Sequence, residues 1–248
     1  MVTSPAAGHA LDVLTLLARN AEPLRASAIA LELGLPRSTT YRLLSTLAVR
    51  GFVSNPQGSG GYALGATAYE LGFAYQRQQP LQRAARRFIV GLVERTGENA
   101  QLAVLQGKDS MYVLEERAPG RPSLVSAVGV RLPAELTASG LAMLAHLSST
   151  QISALYPHAS VLTRRTELGP TTVADLRRTL GEVRRRGYSS EQGTVTARLS
   201  SIAVPLLDSE GRPLAAVALT FADGQDDAGF RPALDVAVAG IRGRLGYR

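Results

Sequence analysis

The chain has 248 residues, 45% hydrophobic and 19% charged, which is enough for one or two domains with a substantial core. It has no cysteine and three histidines, which excludes disulfides and thiol chemistry and argues against a structural zinc. The formal net charge of +7 comes almost wholly from arginine, Lys108 being the only lysine, and no apolar run reaches the roughly 18 residues that a membrane span needs. The N-terminus lacks a basic segment followed by an apolar block and a cleavage site, so a cytoplasmic setting is expected.

Residues 7–19 read as a first helix with Leu11, Leu14, Leu17 and Ala18 inward, broken by Asn20-Ala21-Glu22-Pro23. A short second helix spans 27–33 and stops at Gly34. Pro36 presets the start of a third, in which Thr40, Leu43, Leu44 and Leu47 fall at i, i+3, i+4 and i+7. Its other face carries Arg37, Ser38, Thr39, Tyr41, Arg42 and Ser45. An ordinary surface helix would place Glu and Lys there, yet no acid occurs from Leu35 to Tyr69. A short helix, a glycine turn and a helix rich in donors predict a helix-turn-helix that enters the DNA major groove. Bulk charge does not mark this region, since residues 1–76 hold five arginines against four acids. The signal is where the arginines sit.

Two short strands, Phe52-Val53 and Tyr62-Ala63-Leu64, flank a loop from Ser54 to Gly61 and complete a winged helix. The loop has no Lys or Arg, so any DNA contact there uses backbone amides or Asn55, Gln57 and Ser59; it also lacks a phosphate-loop ending. Helices are expected over 66–77 and 81–94. Leu81, Ala85, Phe88 and Leu92 form a seam suited to an interface between domains or subunits, and Arg83, Arg86 and Arg87 face outward, where a solvated face competes with a DNA contact.

From Gly97 the pattern becomes strand-like. Strands are expected at 100–106, 111–116, 122–128, 199–207 and 213–221, with helices at 141–147, 151–156, 173–186 and 231–245. Hairpin-joined strands with helices between the sets predict an α+β domain on an antiparallel sheet. Catalytic motifs are absent: Ser139 lies at a helix start, but no histidine falls in a triad pattern. Thr137-Ala138-Ser139-Gly140 is either a receptor for a small carboxylate or a plain helix cap.

Two blocks together resemble the IclR family of bacterial transcriptional regulators, over about His9 to Gly246. The first runs from Gly34 to Leu44 and continues in Gly51-Phe52-Val53 and Tyr62-x-Leu64-Gly65. The second comprises Leu132-Pro133, Thr137-Ala138-Ser139-Gly140, Arg186-Gly187-Tyr188, Ser201-Ile202-Ala203-Val204-Pro205 and Ala216-Val217-Ala218-Leu219-Thr220. The resemblance implies a winged helix-turn-helix DNA-binding domain over 1–65, a dimerising linker helix over 66–80, and an effector-binding domain with a GAF-like antiparallel sheet over 81–248. It places DNA binding on Arg37–Arg42, dimerisation on Tyr69–Arg77, and an effector pocket at Ala138, Ser139, Glu191, Ser201, Ala218 and Thr220. Three positions depart from the family pattern. Leu141 stands for a lysine, Ala218 for a serine, and Arg198 for a glycine, its guanidinium expected either to help neutralise an acidic effector or to point to solvent, as loops favour.

The expected protein is therefore a non-enzymatic regulator without metal or cofactor, binding a double-stranded operator as a homodimer or dimer of dimers. Its operator affinity would respond to an organic acid or aromatic catabolite. The alternatives are an enzyme acting on a small organic acid with a vestigial helix-turn-helix, and a protein-binding adaptor that would lack salt-dependent DNA affinity.

Overall fold

The computed structural model describes residues 4–56, 60–78, 80–122, 124–158, 162–225 and 227–247. The chain divides into two compact units, Met1–Gln79 and Pro80–Arg248.

In the first unit, α1 (Pro5–Arg19), α2 (Ala26–Glu32) and α3 (Arg37–Val49) pack around Val13, Leu17, Ile29, Leu44, Leu47 and Val53. Leu11 is 63% exposed and Val13 takes its expected place inward. Residues 10, 13, 14 and 17 make an apolar stripe as regular as the leucine one, and packing against α3 selects it. The turn between α2 and α3 closes with two hydrogen bonds. Leu35 N–H donates to Ala30 O at 2.9 Å and Gly34 N–H to Leu31 O at 3.2 Å, with Gly34 at φ +63°. That left-handed residue suits glycine. The hairpin pairs β1 (Val53–Ser54) with β2 (Ala63–Leu64), and Tyr62 also bridges Leu24, a third strand-like contact that the sequence did not suggest. Of the wing residues expected near DNA, Gln57 and Ser59 lie outside the described residues. Helix α4 (Ala66–Gln78) follows, its start tied back by Thr67 Oγ1, which donates to Arg50 O at 3.1 Å.

The second unit is built on six antiparallel strands: β3 (Asn99–Gln106), β4 (Asp109–Glu116), β5 (Arg131–Pro133), β6 (Ser189–Gln192), β7 (Leu199–Leu207) and β8 (Pro213–Ala222). Their order is β5-β4-β3-β8-β7-β6. The two-residue pleat sorts the side chains. Leu102, Ile202, Val204, Leu206, Val217, Leu219 and Phe221 point to one face, under α5 (Pro80–Thr96) and α9 (Arg231–Leu245). The expected interface seam of α5 is thus part of this internal core, where Gly240 lets α9 approach Phe88 so closely that a Cβ would sit 2.2 Å from its ring.

The opposite face carries Ala103, Ala203, Ala216 and Ala218 beneath α6 (Ala138–Leu144). Beyond α6, the helices α7 (Ser149–Leu155) and α8 (Val173–Arg186) enclose a third cluster around Leu144, Tyr156, Leu176 and Leu180. Thr137 caps α6, its Oγ1 accepting from Gly140 N–H at 2.9 Å. Among the described residues no helix is long and apolar enough to cross a membrane.

The strand expected at 122–128 does not form among the described residues there; the edge of the sheet goes to the three-residue β5. Asn99 accounts for part of this. Its amide donates to Pro122 O at 3.1 Å and accepts from Ala118 N–H at 2.9 Å, so a side chain holds this segment where a ladder would.

Two substitutions test the backbone. A Cβ on Gly140 would lie 2.2 Å from Ala134 O and 2.4 Å from its Cα. Gly140→Ala should therefore cost about 3 kcal/mol, read as a lower urea midpoint of the second unit. Arg198 is exposed and holds φ +66°, a conformation unfavourable for any side chain. Arg198→Gly should raise the melting temperature, by about 0.5–1 kcal/mol in stability.

Candidate functional site

Two places concentrate polar groups that the fold does not consume. The first is α3. Thr40, Leu44 and Leu47 are buried, which fixes the helix by its apolar stripe and turns Arg37, Ser38, Tyr41, Arg42 and Ser45 to solvent, with Thr39 half-buried at the edge. Thr40 is fully buried because its Oγ1 donates to Pro36 O at 3.2 Å. The exposed face therefore holds two guanidiniums, two hydroxyls and a phenol that is 56% exposed. Arg can meet guanine edges or phosphates, and hydroxyls can hold the backbone.

The second place is a cavity of about 420 Å³, counting its mouth, on the α6 side of the sheet. Ala138, Ser139, Glu191, Ser201, Ala218 and Thr220, which the sequence places far apart, all line it. Register explains the convergence. Glu191 pairs with Ser201, Ser201 with Thr220, and Ala218 with Gln101, so neighbouring strands present one polar row on one face. Gln101 and Tyr112 also line the cavity and were missed. Gln101 had a signal: it is a polar residue inside an apolar strand, on the face opposite Ala100 and Leu102. Leu124, Val125 and Ser126, from the segment that does not form a strand, border it too.

The row is hydrogen-bonded across four strands. Ser201 Oγ donates to Glu191 Oε1 at 2.7 Å, Ser201 Oγ and Thr220 Oγ1 are 3.1 Å apart, and Thr220 Oγ1 lies 3.4 Å from Gln101 Oε1. Burial raises the Glu191 carboxyl above the usual carboxylate range, against the lowering effect of its bonds from Thr194 and Ser201. Burial also pushes Tyr112 up to about 12, so its phenol stays protonated and available as a donor.

Ser139 lies 3.0 Å from Ser110 Oγ and near the capping Thr137, a hydroxyl cluster with no base in it. Arg198 does not line the cavity. It borders a separate groove with Glu167, Gln192 and Asp223, so the guanidinium expected to neutralise an effector is directed elsewhere. Leu141 is buried among α6, α7 and α8. Among the described residues, no cluster of His, Asp or Glu could hold a metal.

Comparison with known proteins follows both units. The family model "IclR helix-turn-helix domain" matches residues 6–56, and "Bacterial transcriptional regulator IclR C-terminal" matches residues 73–227. The chain is 30% identical to the HTH-type transcriptional regulator XynR of Escherichia coli, over 96% of both chains. It is 28% identical to the transcriptional repressor IclR of the same organism, over 89% of this chain and 83% of that one. A crystal structure of an IclR homolog from Microbacterium hydrocarbonoxydans, complexed with 4-hydroxybenzoate, superposes with a TM-score of 0.84 at 25% identity, covering 97% of this chain and 99% of that one. These relatives are transcriptional regulators. A DNA-reading unit and an effector-binding unit in this order, each matched by its own family model, place the chain in the IclR family of DNA-binding bacterial transcriptional regulators.

Proposed function

We propose that this regulator reads its operator through Arg37, Ser38, Thr39, Tyr41, Arg42 and Ser45, and that the cavity beneath α6 is its effector site. The reading of the cavity is carried by one observation: six residues scattered over the sequence line a single hydroxyl-rich void on the face of the sheet opposite the main core. Its effector is an organic acid or an aromatic catabolite, the class to which the 4-hydroxybenzoate of the Microbacterium homolog belongs. The relatives that match the whole chain are transcriptional regulators, which supports reading this half as a binding unit. The protein acts in the cytoplasm, where its DNA is. It works as a homodimer, or a dimer of dimers, because a two-fold protein matches two half-sites one helical turn apart. Tyr69 and Leu71 of α4, which are 75% and 56% exposed, supply apolar area for the dimer contact.

Operator DNA selected from a random pool by the unsubstituted protein provides the first test. Arg42→Ala should weaken binding by about 1–3 kcal/mol if it reads a base, or flatten the salt dependence by about one counterion if it holds a phosphate. Effector affinity should be unchanged, and loss of both activities together would mean misfolding. A thermal-stability screen of organic acids and aromatic catabolites provides the second, since a ligand of the native state raises the melting temperature by mass action. Ser201→Ala should abolish the shift given by the best hit while leaving operator binding intact. A shift that survives Ser201→Ala would put the effector elsewhere.

A further inference from the structure

The charge of the cavity restricts its ligand more tightly than its shape does. Among the described residues no lysine, arginine or histidine lines it, yet Glu191, 8% exposed, forms part of the wall. A buried carboxylate without a cation takes up a proton rather than remain charged.

The Thr194 hydroxyl gives a geometric reason for the same proton, although Oε2 also accepts from Thr194 N–H at 3.1 Å and Oε1 from Ser201 Oγ at 2.7 Å. Thr194 Oγ1 has one hydrogen, but it lies 2.5 Å from Glu191 Oε2 and 2.7 Å from the Leu136 carbonyl oxygen. If Glu191 is ionised, both neighbours are acceptors and one contact has no hydrogen. With a proton on Oε2, Glu191 donates to Thr194 Oγ1, Thr194 donates to Leu136 O, and both contacts are filled.

The surrounding groups favour that state. Facing Glu191 are the Tyr112 phenol on β4, Asp223 beyond β8, and, along the groove outside β6, Glu135, Asp175 and Arg178. Arg178 is engaged by Asp175 at 2.8 Å, and the remaining groups are acids or neutral. At the far end of the polar row, Gln101 Nε2 is buried without a hydrogen-bond partner among the described residues, a donor that an incoming acceptor would fill.

We propose that Glu191 sets the charge limit of the effector: the cavity takes a hydroxylated ligand with at most one carboxylate, held by hydrogen bonds, and takes that anion only while Glu191 keeps its proton. The inference rests on the cavity being the effector site, and its test separates the two.

The first arm needs no ligand. Glutamate carboxyl carbons of the full-length labelled protein are followed by NMR from pH 4 to 9, with Glu191→Gln and Glu135→Gln identifying the signals. Glu191 should titrate above the exposed glutamates. The melting temperature of the unsubstituted protein relative to Glu191→Gln should also fall as pH rises. A raised folded-state pKa means that the stabilising proton is present at low pH and lost through the folded-state titration. A Glu191 that titrates with the exposed glutamates, or a difference that stays flat or rises, would overturn the proposal. If Glu191→Gln does not fold, the titrations of the unsubstituted protein, of Glu135→Gln and of Glu98→Gln, which remove the other two glutamates buried among the described residues, still decide.

The second arm measures calorimetric affinity for two matched pairs, 4-hydroxybenzoate against terephthalate and 4-hydroxybutyrate against succinate. Each dicarboxylate should bind on the order of 100-fold more weakly than its partner, because a second buried charge meets no cation. Affinity for the monoacid should fall about tenfold per pH unit once Glu191 titrates. A dicarboxylate that binds as well as its partner, or a monoacid whose affinity ignores pH, would overturn the charge limit. If every ligand found in the thermal screen, these four included, binds independently of Ser201 while Glu191 still titrates high, the effector reading of the cavity fails and the proton assignment stands.

Discussion

The strict alternation of side chains along β3, β7 and β8 is the constraint on which the effector-binding unit depends. One face of these strands is apolar and mostly large, with Leu102, Ile202, Val204, Leu206, Val217, Leu219 and Phe221, and the helices α5 and α9 close over it. Each such side chain contributes about 1.5–3 kcal/mol on burial, so this layer supplies most of the stability of the unit. The other face is therefore free to be small and polar. Ala103, Ala203, Ala216 and Ala218 let α6 lie close to the sheet, and Gln101, Ser201 and Thr220 remain beside it as a hydrogen-bonding row. A cavity survives there because the opposite layer holds the sheet without it.

The position of α6 follows from contacts too close to permit side chains. Gly140 meets the backbone of Ala134, Thr137 satisfies the Gly140 amide in the first turn of the helix, and the Ser189 hydroxyl donates to Ala138 O at 2.5 Å. The start of α6 is thus fixed from the preceding turn, from its own cap and from β6 at once. Thr137 is the cap, and Ala138 and Ser139 face the cavity.

Periodicity made the fold legible wherever an element had one clear apolar stripe. The stripe of α3, the arginine-rich outer face of α8 with Gly187 ending it at φ +75°, and the paired strands β7 and β8 all follow from spacing and turn chemistry. It misled where two patterns overlapped. α1 offers two stripes, and only α3 chooses between them. The seam of α5 looks the same in sequence whether a subunit or its own α9 covers it. Residues 122–128 have the composition of a strand, but the Asn99 side chain ties down the segment's start at Pro122 O and Ala118 N–H, and the sheet edge goes to β5. In the cavity, the resemblance supplied positions that no local pattern could connect, because strand register brings them together. Gln101 and Tyr112 escaped notice since a single polar residue in a buried strand carries no label for the cavity it faces. For Arg198 charge invites a ligand role, but of its two readings the solvent-facing one fits its φ and exposure, which mark a turn position.

The closed turn at Gly34 has a consequence for how this protein can change over generations. Its two hydrogen bonds consume the free groups at the end of α2, and only Leu33, Gly34, Leu35 and Pro36 stand between that helix and Arg37. No residue there is slack. Adding or deleting one would break the spacing of those two hydrogen bonds, and with it the angle at which α3 leaves α2. If α3 reads the operator as proposed above, point substitutions on its outer face retune which DNA sequence is preferred, whereas a change of length in this turn disturbs the packing of the helix itself. New specificities in such a lineage must arise by exchanging side chains at constant length.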